Sequence, residues 1–77
     1  MENELLTKEF LEYIVQTLVE NANDTLEELK ENPNDVFYKG KKLAYYEMLD
    51  SIKNRLEVRD EDISNYGLDF DLDKVLA

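Results

Sequence analysis

Residues 36–59 read VFYKGKKLAYYEMLDSIKNRLEVR, the longest uninterrupted helical pattern in the chain. At about 100° per residue, Tyr45, Met48, Leu49, Ile52 and Leu56 share one face of the second half. Glu47, Asp50, Lys53, Asn54 and Glu57 share the opposite one. In the first half the apolar residues are Val36, Phe37, Leu43 and Ala44, with Gly40 among them, and their mean direction is rotated by roughly 140° at ideal helical pitch. This one helix therefore has two apolar faces. Tyr45 and Tyr46 stand at the changeover, where a tyrosine can bury its ring and keep its hydroxyl wet. Gly40 costs a helix about 1 kcal/mol relative to alanine, and with Ala44 one turn later it marks a place where another backbone can come close.

Working outward toward the N-terminus, residues 32–35 (Asn-Pro-Asn-Asp) break the pattern. Proline ends a preceding helix and fits the first turn of the next, so the spacing predicts a helix over 33–59 with Asn32 as its N-cap. Upstream, Phe10, Leu11, Ile14, Val15, Leu18, Val19, Ala22, Leu26 and Leu29 form a broad helical stripe, which predicts a first helix over 8–31. Asn21, Asn23, Asp24 and Thr25 weaken its middle, and Asp24 or Thr25 could cap a fresh start with Glu27 or Glu28 completing a capping box. A joint this short makes the two helices antiparallel neighbours, with Leu49, Ile52 and Leu56 facing Leu11, Val15, Leu18 and Ala22.

Downstream of Arg59, an acidic turn and Gly67 frame a short helix over 60–66, closed by Leu68. The remaining residues, 67–77, form a tail in which Leu68, Phe70 and Leu72 alternate with aspartates, a pattern that predicts an extended strap across the hairpin. The expected fold is all-α: an antiparallel two-helix hairpin, a short C-terminal helix and an extended tail, in one domain.

Seventy-seven residues bury only about 60% of the unfolded surface, and the chain has no cysteine or histidine to supply a disulfide or the usual zinc site. Self-association is the remaining way to enlarge the core. No apolar run approaches the roughly 18 residues of a membrane span, and MENELLTKEF carries acids where a signal peptide has a basic flank, so a cytoplasmic setting is expected.

The net charge of −10 is unevenly spread. Residues 1–31 hold nine acids and two lysines, residues 60–77 six acids and one lysine, and residues 32–59 six basic residues against four acids. A basic centre lies between acidic arms, an arrangement that orients contacts within the fold more than it stabilises them. The summed field repels phosphate, which argues against nucleic acid or an anionic membrane as partner.

Asp69, Asp71 and Asp73 open like a calcium loop, but its glycine position is Lys74 and no twelfth-position glutamate follows, so solvated aspartates are the simpler reading. Nineteen acids offer no informative catalytic pair without a sheltered pocket, and the usual nucleophile partners are missing. No enzyme activity, cofactor or metal is expected.

Across VFYKGKKLAYYEMLDSIKNRLEV, and more loosely NYGLDFDLDKVL, the chain resembles short uncharacterised helical proteins of Gram-positive bacteria, their phages and mobile elements, which share an AYYE-x-L core (here Ala44 to Leu49). The resemblance covers about half the chain and implies no activity, cofactor or site residue. It implies a setting in which small acidic proteins often bind host machinery.

Two roles follow. The first is a self-associating adaptor or structural module, a homodimer that docks through Val36, Phe37, Gly40, Leu43, Ala44 and Tyr46. Either the tail or a second copy must cover that patch, and the second copy is expected because a marginal core gains from it. The second role is inhibition of a basic nucleic-acid-binding protein by charge mimicry, using Glu20, Glu27, Glu28 and Glu31.

Overall fold

The computed structural model describes residues 7–76. The opening residues 1–6, whose acids bear on the signal-peptide reading, and residue 77 lie outside the described residues. Helix α1 spans Lys8–Glu31 and α2 spans Val36–Val58; a 3₁₀ turn at Ile63–Tyr66 and a five-residue helix α3, Leu72–Leu76, follow. Among the described residues there are no strands, and no helix is long and apolar enough to cross a membrane. The two long helices pack together, and the segment after them packs on both.

Thr7 caps α1 by accepting a hydrogen bond from the Phe10 amide at 3.1 Å, with Glu9 favourably placed in the first turn. The helix runs through the polar stretch 21–25 without a new start. Thr25, offered above as a cap, is instead 1% exposed and donates its hydroxyl to the Asn21 carbonyl at 3.0 Å. A threonine satisfied in this way is accommodated inside a helix, so no interruption is required.

The cap of the second helix is Asp35 rather than Asn32, and α2 begins at Val36 rather than at residue 33. The reason is competition for Asn32. Its backbone N–H and its side-chain amide both donate to the Glu28 carbonyl at 3.0 Å, closing α1, so it is spent on the preceding helix. Asp35 then accepts from the Phe37 amide at 2.9 Å.

At the other end of α2, Asp60 donates its N–H to the Glu57 carbonyl at 3.1 Å and Glu61 to the Leu56 carbonyl at 2.9 Å. This is the paired closure of a Schellman motif. It places Asp60 in the left-handed region at φ 59°, a conformation that costs an L-residue roughly 1–2 kcal/mol and that aspartate tolerates better than most. The expected short helix is trimmed to the 3₁₀ turn at its C-terminal end, capped by Asp62, whose carboxylate accepts from the Ser64 amide at 3.0 Å and from its hydroxyl at 2.6 Å. These bonds hold the Asp62 carboxyl below its ordinary pKa. Gly67 ends the turn at φ 73° and Leu68 closes it, fully buried, as its position predicted.

The tail departs from the extended reading. Asp71 accepts from the amides of Asp73 (3.0 Å) and Lys74 (3.3 Å) and so starts α3. A strand-like register would put Leu72 and Leu76 on the line of Leu68 and Phe70, with Lys74 on the same buried face between them. One helical turn sets Leu72 and Leu76 four residues apart on one face, and both are buried.

The core joins Val15, Ala22 and Leu49 to Tyr66, Leu68, Leu72 and Leu76, with Leu18, Val19, Leu26, Tyr45, Ile52, Leu56, Ile63 and Phe70 partly buried around it. The expected facing of α1 and α2 is seen at Val15, Leu18, Ala22 and Leu49. Leu11 is an exception at 41% exposed, and Met48, placed above on the inner face, is 45% exposed.

Candidate protein interaction face

The first apolar face of α2 is uncovered. Val36, Phe37 and Leu43 are 80%, 65% and 55% exposed, and Gly40 and Ala44 between them are exposed too. Met48 extends the stripe by one turn. The tail was one candidate cover for this patch, but Leu68, Leu72 and Leu76 point into the core instead, on the side of α2 that carries Leu49. The distribution of polar groups explains that choice. Lys53 donates from Nζ to the Phe70 carbonyl at 2.8 Å, and Tyr46 donates its hydroxyl to the Asp73 carboxylate at 2.6 Å. Both donors lie on the inner half of α2 and draw the tail there.

Tyr46 therefore leaves the set of docking residues. It is half-buried and belongs to the clasp that holds α3. Its hydrogen bond to Asp73, aided by burial and by the nearby charges of Asp73, Asp50 and Asp71, pushes its pKa up to about 12. A tyrosine ionises near 10 when unfolded, so the folded state holds this proton more tightly. The stabilisation is complete below pH ~10 and is lost as pH rises through about 12. In an absorbance titration the last of the five tyrosines to ionise should do so near 12, and that step should be missing in Tyr46→Phe. If Tyr46→Phe loses amplitude near 10 and keeps the step near 12, the clasp is removed.

Around the exposed stripe neighbouring side chains meet the Phe37 ring. The Phe37 ring meets the Tyr38 ring edge-on, centroids 5.2 Å apart, and Lys41 Nζ stands 5.9 Å from the Phe37 centroid. A cation over an aromatic face is worth about 0.5–1 kcal/mol at an exposed site, enough to bias the Phe37 rotamer outward. Gly40 has open space where a Cβ would be, with nothing within 4 Å. Among the described residues no element uses its small size. Beside Leu43 a shallow depression is lined by Leu29, Lys39, Lys42 and Leu76, and further along α2 another is lined by Ser51, Asn54, Arg55, Val58 and Arg59. Val58, 83% exposed, prolongs the apolar character and was not singled out in the sequence. A helical wheel drawn over the full length of α2, rather than over its halves, places it in line with Gly40 and Ser51.

The acids proposed for charge mimicry, Glu20, Glu27, Glu28 and Glu31, are all exposed. Glu27 pairs with Lys30 at 3.5 Å across one turn, and Glu28 is the chief cause of the raised pKa of Tyr38. Glu28 thus faces the start of α2, whereas Glu20, Glu27 and Glu31 follow the outside of α1. The three tail aspartates do not converge: Asp71 caps α3 and Asp73 accepts from Tyr46. Among the described residues no group of three acids is arranged to hold a metal ion. No family model, curated protein or solved structure matches the chain.

Proposed function

We propose that the protein is a small protein–protein interaction module, an adaptor or structural unit that self-associates as a homodimer through the outer face of α2. The observation that carries this reading is the exposed run of Val36, Phe37, Leu43 and Met48 on one side of a helix whose other side fills the core. Water contact at such a patch forfeits roughly 25 cal/mol per Å² of apolar area, and contiguous exposed apolar patches of a few hundred Å² mark docking sites on folded proteins. The scaffold in this reading is an antiparallel hairpin. It is supported by the four-residue joint Asn32–Asp35 at one end and by the Lys8–Glu61 ion pair, 3.2 Å, which ties the start of α1 to the residues just past α2.

Charge mimicry of nucleic acid remains tied to exposure alone. Glu20, Glu27 and Glu31 lie where soluble helices ordinarily carry charge, whereas large apolar side chains on the outside of a helix call for a cover.

Sedimentation equilibrium over a hundredfold concentration range tests the proposal. The wild type should move from monomer toward dimer, and Phe37→Asp should stay monomeric with an unchanged circular-dichroism spectrum, because Phe37 is an exposed residue on the outer face of α2. A wild type that is monomeric throughout would sink it.

A further inference from the structure

We infer that the second copy packs antiparallel to the first, with a two-fold axis crossing α2 near the level of residue 42. This rests on the self-association proposed above and specifies its geometry. At 100° per residue, Phe37 and Met48 fall on one edge of the exposed face, and Gly40, Leu43 and Glu47 on the other, with Lys39 just beyond. An in-plane two-fold brings each edge against the same edge of a copy running the opposite way.

Phe37 then meets the copy's Met48, an aromatic against a thioether. Leu43 enters the space left open at the copy's Gly40, where an added Cβ would meet nothing within 4 Å among the described residues. Glycine at this position gains a purpose it lacks in the single chain, that of a recess for a neighbour's leucine.

Charge order selects the antiparallel arrangement. Lys39 and Glu47 are both exposed and, eight residues apart, stand about 12 Å from each other along α2, too far to pair. Across the two-fold, Lys39 comes beside the copy's Glu47, twice per dimer. A parallel pair would instead set the lysines of both copies at one level and the two Glu47 carboxylates at another, which is repulsive for chains that each already carry −10. The face is small, so the association is weak and concentration-dependent.

The chain has no cysteine, which allows a direct test. Phe37→Cys and Met48→Cys chains, prepared separately, are mixed in equal amounts, oxidised and resolved by mass. The mixed disulfide should exceed either homodisulfide by on the order of tenfold, because residue 37 and its symmetry mate lie far beyond the roughly 7 Å Cα separation that a disulfide bridges. Predominance of either homodisulfide would overturn the antiparallel two-fold and leave self-association standing. So would the absence of every disulfide from a chain whose wild type sediments as a dimer, since the contact would then lie elsewhere. A wild type monomeric by sedimentation defeats both proposals.

Discussion

Leu49→Ala should lower the unfolding free energy by about 3–5 kcal/mol, the range for a large aliphatic side chain removed from a packed site that cannot collapse around the gap. Leu49 is 0% exposed and stands in α2 where α1 and the C-terminal segment meet. A chain of 77 residues has a total stability on the order of 4–12 kcal/mol, so this one truncation takes much of it. Ile52→Ala, three residues on and only half-buried, should cost roughly 1–3 kcal/mol, near or below the low end of that range. Urea melts at fixed protein concentration make the comparison. Equal losses at the two positions would contradict the burial pattern, and a Leu49→Ala loss below about 1 kcal/mol would place Leu49 outside the core.

The second large effect is expected on ending the chain after Gly67. That deletion removes Leu68, Leu72 and Leu76, all buried, along with the Phe70 carbonyl and the Asp73 carboxylate that Lys53 and Tyr46 hold. Fully burying an aliphatic side chain is worth about 1.5–3 kcal/mol, so three of them rival the whole stability of the fold. The shortened chain should lose its cooperative thermal transition and expose Leu49 to solvent. Retention of a sharp transition within a few degrees of the full chain would show α1 and α2 to be self-sufficient, and α3 an appendage.

Much of this architecture was legible before the structure. The two helical stripes, the break at Pro33, the glycine stop at Gly67 and the burial of Leu68 all follow from periodicity and from residues whose backbone preferences are strong. What was misread depends on competition between neighbours. Asn32 and Asp35 are both good caps, and only the three-dimensional ends of the helices decide that Asn32 closes α1 and Asp35 opens α2. The alternation Leu68, Phe70, Leu72 looks extended because period two and a short loop entering a helix are indistinguishable over five residues. Asp71 resolves the ambiguity by capping, a signal present in the sequence but masked by the calcium-loop pattern around it.

The second apolar face of α2 follows from the unusual rotation between the two halves of the helix. Val36, Phe37, Gly40, Leu43 and Ala44 are all exposed. Tyr46 was misplaced because its hydroxyl is recruited by Asp73, a contact across 27 residues that no local pattern encodes. Met48 was assigned inward by a wheel drawn on half a helix. It sits about 100° from Leu49, and a step of that size carries a side chain from the centre of the core to its edge.

Of the seven apolar residues buried among the described ones, four, Tyr66, Leu68, Leu72 and Leu76, fall between residues 66 and 76. The two long helices contribute only Val15, Ala22 and Leu49 to that set, so a hairpin without the later segment leaves the groove between its helices unfilled. Closing the core joins Val15 to Leu76, near opposite ends of the described residues, and contacts so far apart in sequence slow folding.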